Sequence, residues 1–522
     1  GDEDMKSKRA NYPKWVEEFR GEGREIKKVG SCYYLYTFKT VYDPMTKKPK
    51  KISTGYLGKI TEDSGLIPAK HRQKATLMKP LELGRPLEAG AVEMLELLGS
   101  DILENLQLFY RDELAEAIFI IGKIRLIEPT ALKRVDFLYS NSYDTVLHPR
   151  IRLGKNELTA LLREIGRNRL AQVNFMKLYT VGSEFLLFDG TRIVSYSENL
   201  NLAQIGYNHC SIQDPQMNLL YCFSLCPTFG PAYFKVNAGD KPDVSVLKNA
   251  LDEFGMINFI MIADKGFGSD ENFRYLQDNG ISYIVPLKRN DSMIDYQSLK
   301  KGISHMEGMF QYHNRTIYYC TMKKYKAVKQ RGRVKAGAER KITVLQDLVI
   351  TFTDLGLKNQ EIKDYNERIE RGCKGYTFVD FQEKEIRMGT LTLRTDMDLK
   401  AQKLYETYKE RESIEDANKV YKDVLEDDKS YMQDSDAYNG WLFLNHISMM
   451  LYYRVFNCIK AAGLTSRYSV KDIMTYLKRF TYQKINGEEI REIPTKVSID
   501  KLRNIFPEEM KRIVPEKSNK KN

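Results

Sequence analysis

Between Glu184 and Arg289 the chain alternates in a way that few folds accommodate. Three apolar runs follow one another: "FLLFDGTRIVSYS", "MNLLYCFSLCP" and "PAYFKVNAG". "DVSVLKNALDEFG" then has helical spacing, with Asp243 placed as N-cap and Gly255 just past the end. "INFIMIADKGF" is a short buried strand. "SDENFRYLQDNG" is a second helix, opened by Ser269 or Asp270 and closed by Gly280, and "ISYIVPLKR" is a last strand. The order is β-β-β-α-β-α-β. The first three strands read as a meander, and the last two, joined through a helix, make a right-handed crossover unit. An α/β unit built on one mixed sheet is expected.

That order is the chain order of a ribonuclease-H-like fold, in which the first and fourth strands are neighbours. Asp189 in "LLFDGT" and Asp264 in "IMIADKGF" each stand at the polar end of one of those two strands. Aspartates at strand ends are ordinary turn residues when taken singly. On neighbouring strands, beside glycines that let a ligand approach, they suit a metal. A third carboxylate must then come from a helix. Residues 398–426 read as one long helix, on which Tyr408, Arg411, Glu415 and Lys422 fall at offsets of 3, 7 and 14, one stripe. Phosphodiester hydrolysis needs an activated water and a stabilised leaving oxygen. Two divalent ions about 3.5–4 Å apart supply both. Oxygen ligands favour Mg²⁺ or Mn²⁺, while arginine and lysine clamp phosphates.

Three segments carry a resemblance: "FDGT", "IADKGFGSDENFRYLQDNGISYIVPLKRN" and "YETYKERESIEDANKVYK". They resemble the catalytic regions of bacterial insertion-sequence DDE transposases. Within these they are similar to the "IS-four" superfamily, whose Y-x2-R-x3-E-x6-K signature Tyr408, Arg411, Glu415 and Lys422 match in spacing. "GDKPDVSVL" at 239–247 is also similar to that family. The resemblance covers about residues 85–480. It implies a DNA transposase with Asp189, Asp264 and Glu415 as a triad holding two Mg²⁺ or Mn²⁺ ions. Tyr408, Arg411 and Lys422 would grip the DNA end near the cleaved phosphate. The reaction would be cleavage of transposon ends, then strand transfer of the 3′-hydroxyl into target DNA. The implied partners are double-stranded DNA (terminal inverted repeats and target) and a second copy, as a homodimer in a paired-end complex. The implied setting is prokaryotic, cytoplasmic and nucleoid-associated.

Some hairpin-forming relatives trap a flipped base with a tryptophan in the β insertion. Here Trp15 and Trp441 both lie outside it, which leaves Tyr319, Tyr376 or Phe378 for such a role, with core packing as the alternative. Lys288 and Arg289, after the fifth strand, are further candidates for phosphate, as is the basic stretch 323–341. A haloacid-dehalogenase-type phosphatase is disfavoured, because Leu187 stands where its nucleophilic aspartate belongs. Two alternatives stay open: a catalytically inactive DNA-binding relative, and a ribonuclease-H-like nuclease or resolvase without strand transfer.

The rest of the chain divides around this core. Residues 1–84 read as a β-rich module and a candidate for DNA binding. Residues 85–180 read as a helical domain and a candidate for DNA-end binding. The core occupies 181–290, a β-rich insertion 291–395, and the core resumes over 396–480 with an apolar helix, "YNGWLFLNHISMMLYYRVFNCIKAAGL", that should pack on it. His446 in that helix is expected to be a satisfied core histidine. Residues 481–522 read as a tail, disordered after Pro515. A net charge of +12 suits a polyanion. No apolar run reaches the about 18 residues of a membrane span, and no apolar signal segment follows Met5. The seven cysteines contain no CxxC pair. Cys222 and Cys226 read as buried thiols, which fits a reducing cytoplasm. No nucleotide-binding fingerprint occurs, so no nucleotide cofactor is expected.

Overall fold

The computed structural model describes residues 11–43, 48–69, 84–195, 197, 200–205, 215–225, 229–241, 243–255, 258–329, 339, 342–411 and 434–514. The chain forms two compact units, Gly1–Leu83 with Ile485–Glu488, and Gly84–Lys484 with Glu489–Asn522. The smaller is an antiparallel sheet in the order β1 (Arg24–Val29), β2 (Cys32–Asp43), β3 (Lys48–Thr61), β4 (Gly65–Pro68). Its alternation buries Ile26, Tyr33, Leu35 and Ile60 around Val16.

In the larger unit, the apolar run from 88 to 126 forms three helices: α1 (Gly90–Leu98), α2 (Ser100–Gln107) and α3 (Asp112–Ile127). The first break is at Gly99, where an added Cβ would lie 2.5 Å from Leu451 and 2.9 Å from Phe119. α3 is buried almost all round, including Lys123 and Arg125, which marks a central helix. α4 (Lys155–Arg167) and α5 (Arg169–Leu178) follow, the latter capped by Asn168.

The core strands are β5 (Phe185–Val194), β6 (Pro215–Ser224) and β7 (Gly230–Ala238). After them come α6 (Asp243–Phe254), β8 (Ile260–Ala263), α7 (Asp270–Asp278) and β9 (Ser282–Pro286). Ser269 caps α7 by accepting from the Asn272 amide, and Gly255 and Gly280 take positive φ past the ends of α6 and α7. The strands lie in the order β7-β6-β5-β8-β9. β5 pairs antiparallel with β6 and parallel with β8, and β8 pairs parallel with β9.

Residues 291–395, expected as a β-rich insertion, combine strands with helices. β10 (Gly308–Tyr312), β11 (Arg315–Lys329) and β12 (Ile342–Asp354) are followed by two helices, α8 (Leu355–Glu370) and α9 (Phe378–Lys384), and by β13 (Thr390–Thr395). β13 pairs with both β12 and β9, so the segment extends the core sheet to ten strands. "KGYTFVDFQEKEI" carries strand-favouring residues, yet Phe378–Lys384 within it is helical, the Thr377 hydroxyl accepting from the Asp380 amide. At the junction the buried Arg394 guanidinium meets Asp347 at 2.5 and 2.8 Å and lies 3.9 Å from the Phe273 ring centre.

α10 (Ala401–Lys409) leads toward residues 412–433, which lie outside the described residues. α11 (Ser435–Ala461), capped by Asp434, packs on α3, α4 and β7 and is buried along most of its length. The stretch expected as a tail is folded through Val514. Thr481–Ile485 pairs with Leu87–Glu88, and two helices, Lys496–Ile505 and Pro507–Ile513, bury Leu502, Phe506 and Met510. Residues after Pro515 lie outside the described ones. No described helix is long and apolar enough to cross a membrane.

Candidate active site

Asp189 does not end its strand. β5 runs on to Val194 because its pairing with β6 continues, Gly190 to Leu220 and onward. What ends near Asp189 is the parallel ladder with β8, whose last pair is Phe188 with Ala263. Asp189 continues β5, whereas Asp264 is the first residue past the end of β8, so the two directly follow the last paired residues of neighbouring strands. Behind Asp264 the chain enters a single 3₁₀ turn, the Phe267 amide donating to the Asp264 carbonyl at 2.9 Å. The Phe267 ring reaches Gly190, to within 3.6 Å of where a Cβ would stand. That is an ordinary van der Waals distance, so the Phe267 ring packs beside Gly190.

α10 brings the third element. Ala401, Leu404, Tyr405 and Tyr408 form its buried face, and Tyr405 packs on Phe310, Tyr312 and Phe352. Arg411, in the turn after the helix, donates to the Tyr408 hydroxyl at 3.0 Å and stands 3.3 Å from the Asp264 carboxylate. Burial pulls the Arg411 pKa down. The charges of Tyr408, Asp264 and Asp189 outweigh that effect and raise it. The site therefore gathers Asp189, Asp264, Tyr408 and Arg411. Glu415 and Lys422 lie outside the described residues.

Two hard carboxylate donors, the Asp264 side chain about a third exposed at 35 %, fit Mg²⁺ or Mn²⁺ with water positions left open. A second group is also within reach of one cation. Ligand atoms of Glu96, Asp144 and His148 lie within 4.8 Å of one another. A cation is already there: the fully buried Lys123 ammonium contacts Glu96 and lies 2.5 Å from Asp144. The sequence reading missed this cluster. Its one visible sign is a lysine inside the apolar run "IFIIGKIRLI".

Lys288 is exposed. The Arg289 guanidinium forms a two-pronged pair with Glu361, both contacts at 2.9 Å, so phosphate would have to displace a carboxylate. Of the basic stretch 323–341, residues 323–329 end β11, and all but Glu339 of the remainder lie outside the described residues. Tyr376 lines a cavity of about 590 Å³ with Tyr365, Arg368, Lys384 and Arg387. Tyr319 is packed against Phe310, and Phe378 is exposed. Cys222 is buried, its thiol pushed well up by burial, and Cys226 lies outside the described residues. His446 is a core residue, as expected, but only half satisfied. Its Nδ1 meets the Tyr221 hydroxyl at 2.6 Å, and Nε2 has no partner among the described residues. Burial, aided by Arg169, lowers its pKa to about 3, so it stays neutral.

The model of the family described as transposase DDE domain matches residues 183–451, a span that includes Asp189, Asp264, Tyr408, Arg411 and Glu415. No curated protein matches the chain. Among solved structures, the chain is similar to a chain of a piggyBac transposase synaptic complex with hairpin DNA. That likeness has a TM-score of 0.35 and 11% identity, over 76% of this chain and 82% of that one.

Proposed function

From the premise that this chain belongs to the transposase DDE-domain family, we propose that it cleaves transposon ends and transfers their 3′-hydroxyls into target DNA, with Asp189, Asp264 and Glu415 as its acidic triad. The observation that carries this is that Asp189 and Asp264 directly follow the last pair of the parallel ladder, Phe188 with Ala263, with Arg411 3.3 Å from Asp264. Glu415 follows Arg411 by four positions in the chain. We read the strand order β7-β6-β5-β8-β9 as a ribonuclease-H-like core.

Asp189, Asp264 and Glu415 would hold two Mg²⁺ or Mn²⁺ ions. Bound there, such ions supply an activated water and a charge-stabilised leaving oxygen. The chain's own groups do the rest. Arg411 neutralises the paired aspartates and offers a planar fork to a phosphate. Tyr408 orients Arg411 through its hydroxyl. Lys422 and Lys288 contact flanking phosphates, and Arg289 joins them on leaving Glu361. The substrate is double-stranded DNA carrying terminal inverted repeats, held by two copies of the chain.

The test is incubation of terminal-repeat DNA and a target plasmid with Mg²⁺ or Mn²⁺. Nicked ends and joined products are expected, and Glu415→Gln should abolish both while end binding persists. Cleavage unchanged by Glu415→Gln would remove that residue from the site. Nicking without joining would favour a nuclease or resolvase, and binding without nicking an inactive relative.

A further inference from the structure

The small N-terminal sheet has two unlike faces. One carries Ile26, Tyr33, Leu35 and Ile60 and is closed by Val16 and Trp15. The other faces solvent, yet it is aromatic. Tyr36 and Tyr56 stand directly across from each other, ring centres 5.2 Å apart, and Tyr34 lies 6.0 Å from Tyr56. Phe38 continues the row, and Tyr56 is 42% exposed.

Lysines surround these rings. The Lys27 ammonium lies 5.0 Å from the Tyr36 ring centre, and the Lys51 ammonium 4.5 Å from that of Phe38. Lys59 stands across from Tyr34. Along β1, β2 and β3 there are eight Lys and Arg residues against two acids, Glu25 and Asp43. Cross-strand ring pairs do stabilise a sheet by themselves. They leave unexplained the excess of cations over acids along these strands, in which Lys27 meets Glu25 at 3.7 Å, an excess that suits a polyanion.

We propose that this face binds single-stranded DNA, with unpaired bases stacked on Tyr34, Tyr36 and Tyr56 and phosphates on Lys27, Lys51 and Lys59. Rings accept any base, and flanking ammonium groups track the backbone. A flat aromatic row has no way to reach bases inside a duplex. That the polyanion is DNA rests on the transposase reading; the stacking surface does not.

The experiment uses the full chain carrying Asp189→Asn, so that no cleavage enters. Anisotropy of a labelled oligothymidylate of about 16 nucleotides, the upper site size for one such surface, reads binding. Tyr36→Ala with Tyr56→Ala should weaken it at least tenfold. Tyr36→Phe with Tyr56→Phe should keep it within about twofold, because the ring and not the hydroxyl stacks. Lys27→Ala with Lys51→Ala should lower the slope of log affinity against log salt by about 1.4, two phosphates' worth. Binding of a duplex of equal length should be indifferent to the tyrosine pair. Trp15 fluorescence reports whether the small sheet stays folded. Undiminished oligothymidylate binding by the folded alanine pair, or equal loss for duplex, would overturn the proposal. Neither result bears on cleavage at Asp189 and Asp264.

Discussion

Lys123 is fully buried, and its charge is matched on two sides. Glu96 and Asp144 contact its ammonium, Ser142 donates to Asp144 at 2.8 Å, and His148 joins through Glu96 at 3.2 Å. Burial pushes the Glu96 carboxyl up. The His148 hydrogen bond and the Lys123 charge overcome that and hold its pKa at about 2, below the ordinary 4.5. Burial pulls His148 down, and the hydrogen bond to Glu96 raises it above its ordinary 6.5. The depressed carboxyl contributes stability above pH 4.5, lost as pH falls toward 2. The raised imidazole contributes below pH 6.5, lost as pH climbs through its folded value. Thermal melts should therefore peak between pH 4.5 and 6.5. Glu96→Gln should flatten the acid limb, a loss on the order of 2–3 kcal/mol at neutral pH. A wild-type acid limb unchanged by that substitution would contradict the account. At this scale the sequence singles out Asp264 and Arg411, whose side chains the fold brings to 3.3 Å of each other. It is silent where charges from separate helices meet, because nothing local marks Glu96, Asp144 and His148 as neighbours.

The elements cohere through close backbone contact. A Cβ on Gly166 of α4 would lie 1.7 Å from the Asp436 carbonyl oxygen, and one on Gly440 of α11 would lie 2.0 Å from that of Leu162. These two glycines let α4 and α11 touch along their backbones. Gly440→Ala must push the helices apart, a cost of about 3 kcal/mol or more given that overpacking alone takes 1–3. A chemical-denaturation midpoint equal to wild type would refute this. The apolar character of α11 predicts its burial, and the caps at Ser269 and Gly280 fix α7 from local residues alone. In the stretch 374–386, Tyr376 and Phe378 carry strand propensity, yet Phe378–Lys384 is helical behind the Thr377 cap. The break at Gly99 is hidden because its cause, Leu451, lies far along the chain.

Across the larger unit, one sheet carries both the aspartates and the 291–395 segment. β13 lies between β12 and β9, and Arg394 with Asp347 ties that edge to α7 through Phe273. α10 packs its Tyr405 on β10 and β12 while delivering Arg411 to Asp264. The position of Arg411 therefore depends on the extension of the sheet as well as on the core. Sequence spacing could not reveal this, since the pairing of β13 with β9 joins segments about a hundred residues apart. The account stands on a cation site at Asp189 and Asp264, distinct from the one that Lys123 already fills. Mn²⁺ titration of the full chain, followed by electron paramagnetic resonance, separates the two. Asp189→Asn and Asp264→Asn should each weaken binding by about tenfold or more, while Glu96→Gln leaves it intact. Binding untouched by both aspartate substitutions, or abolished by Glu96→Gln, would contradict the account.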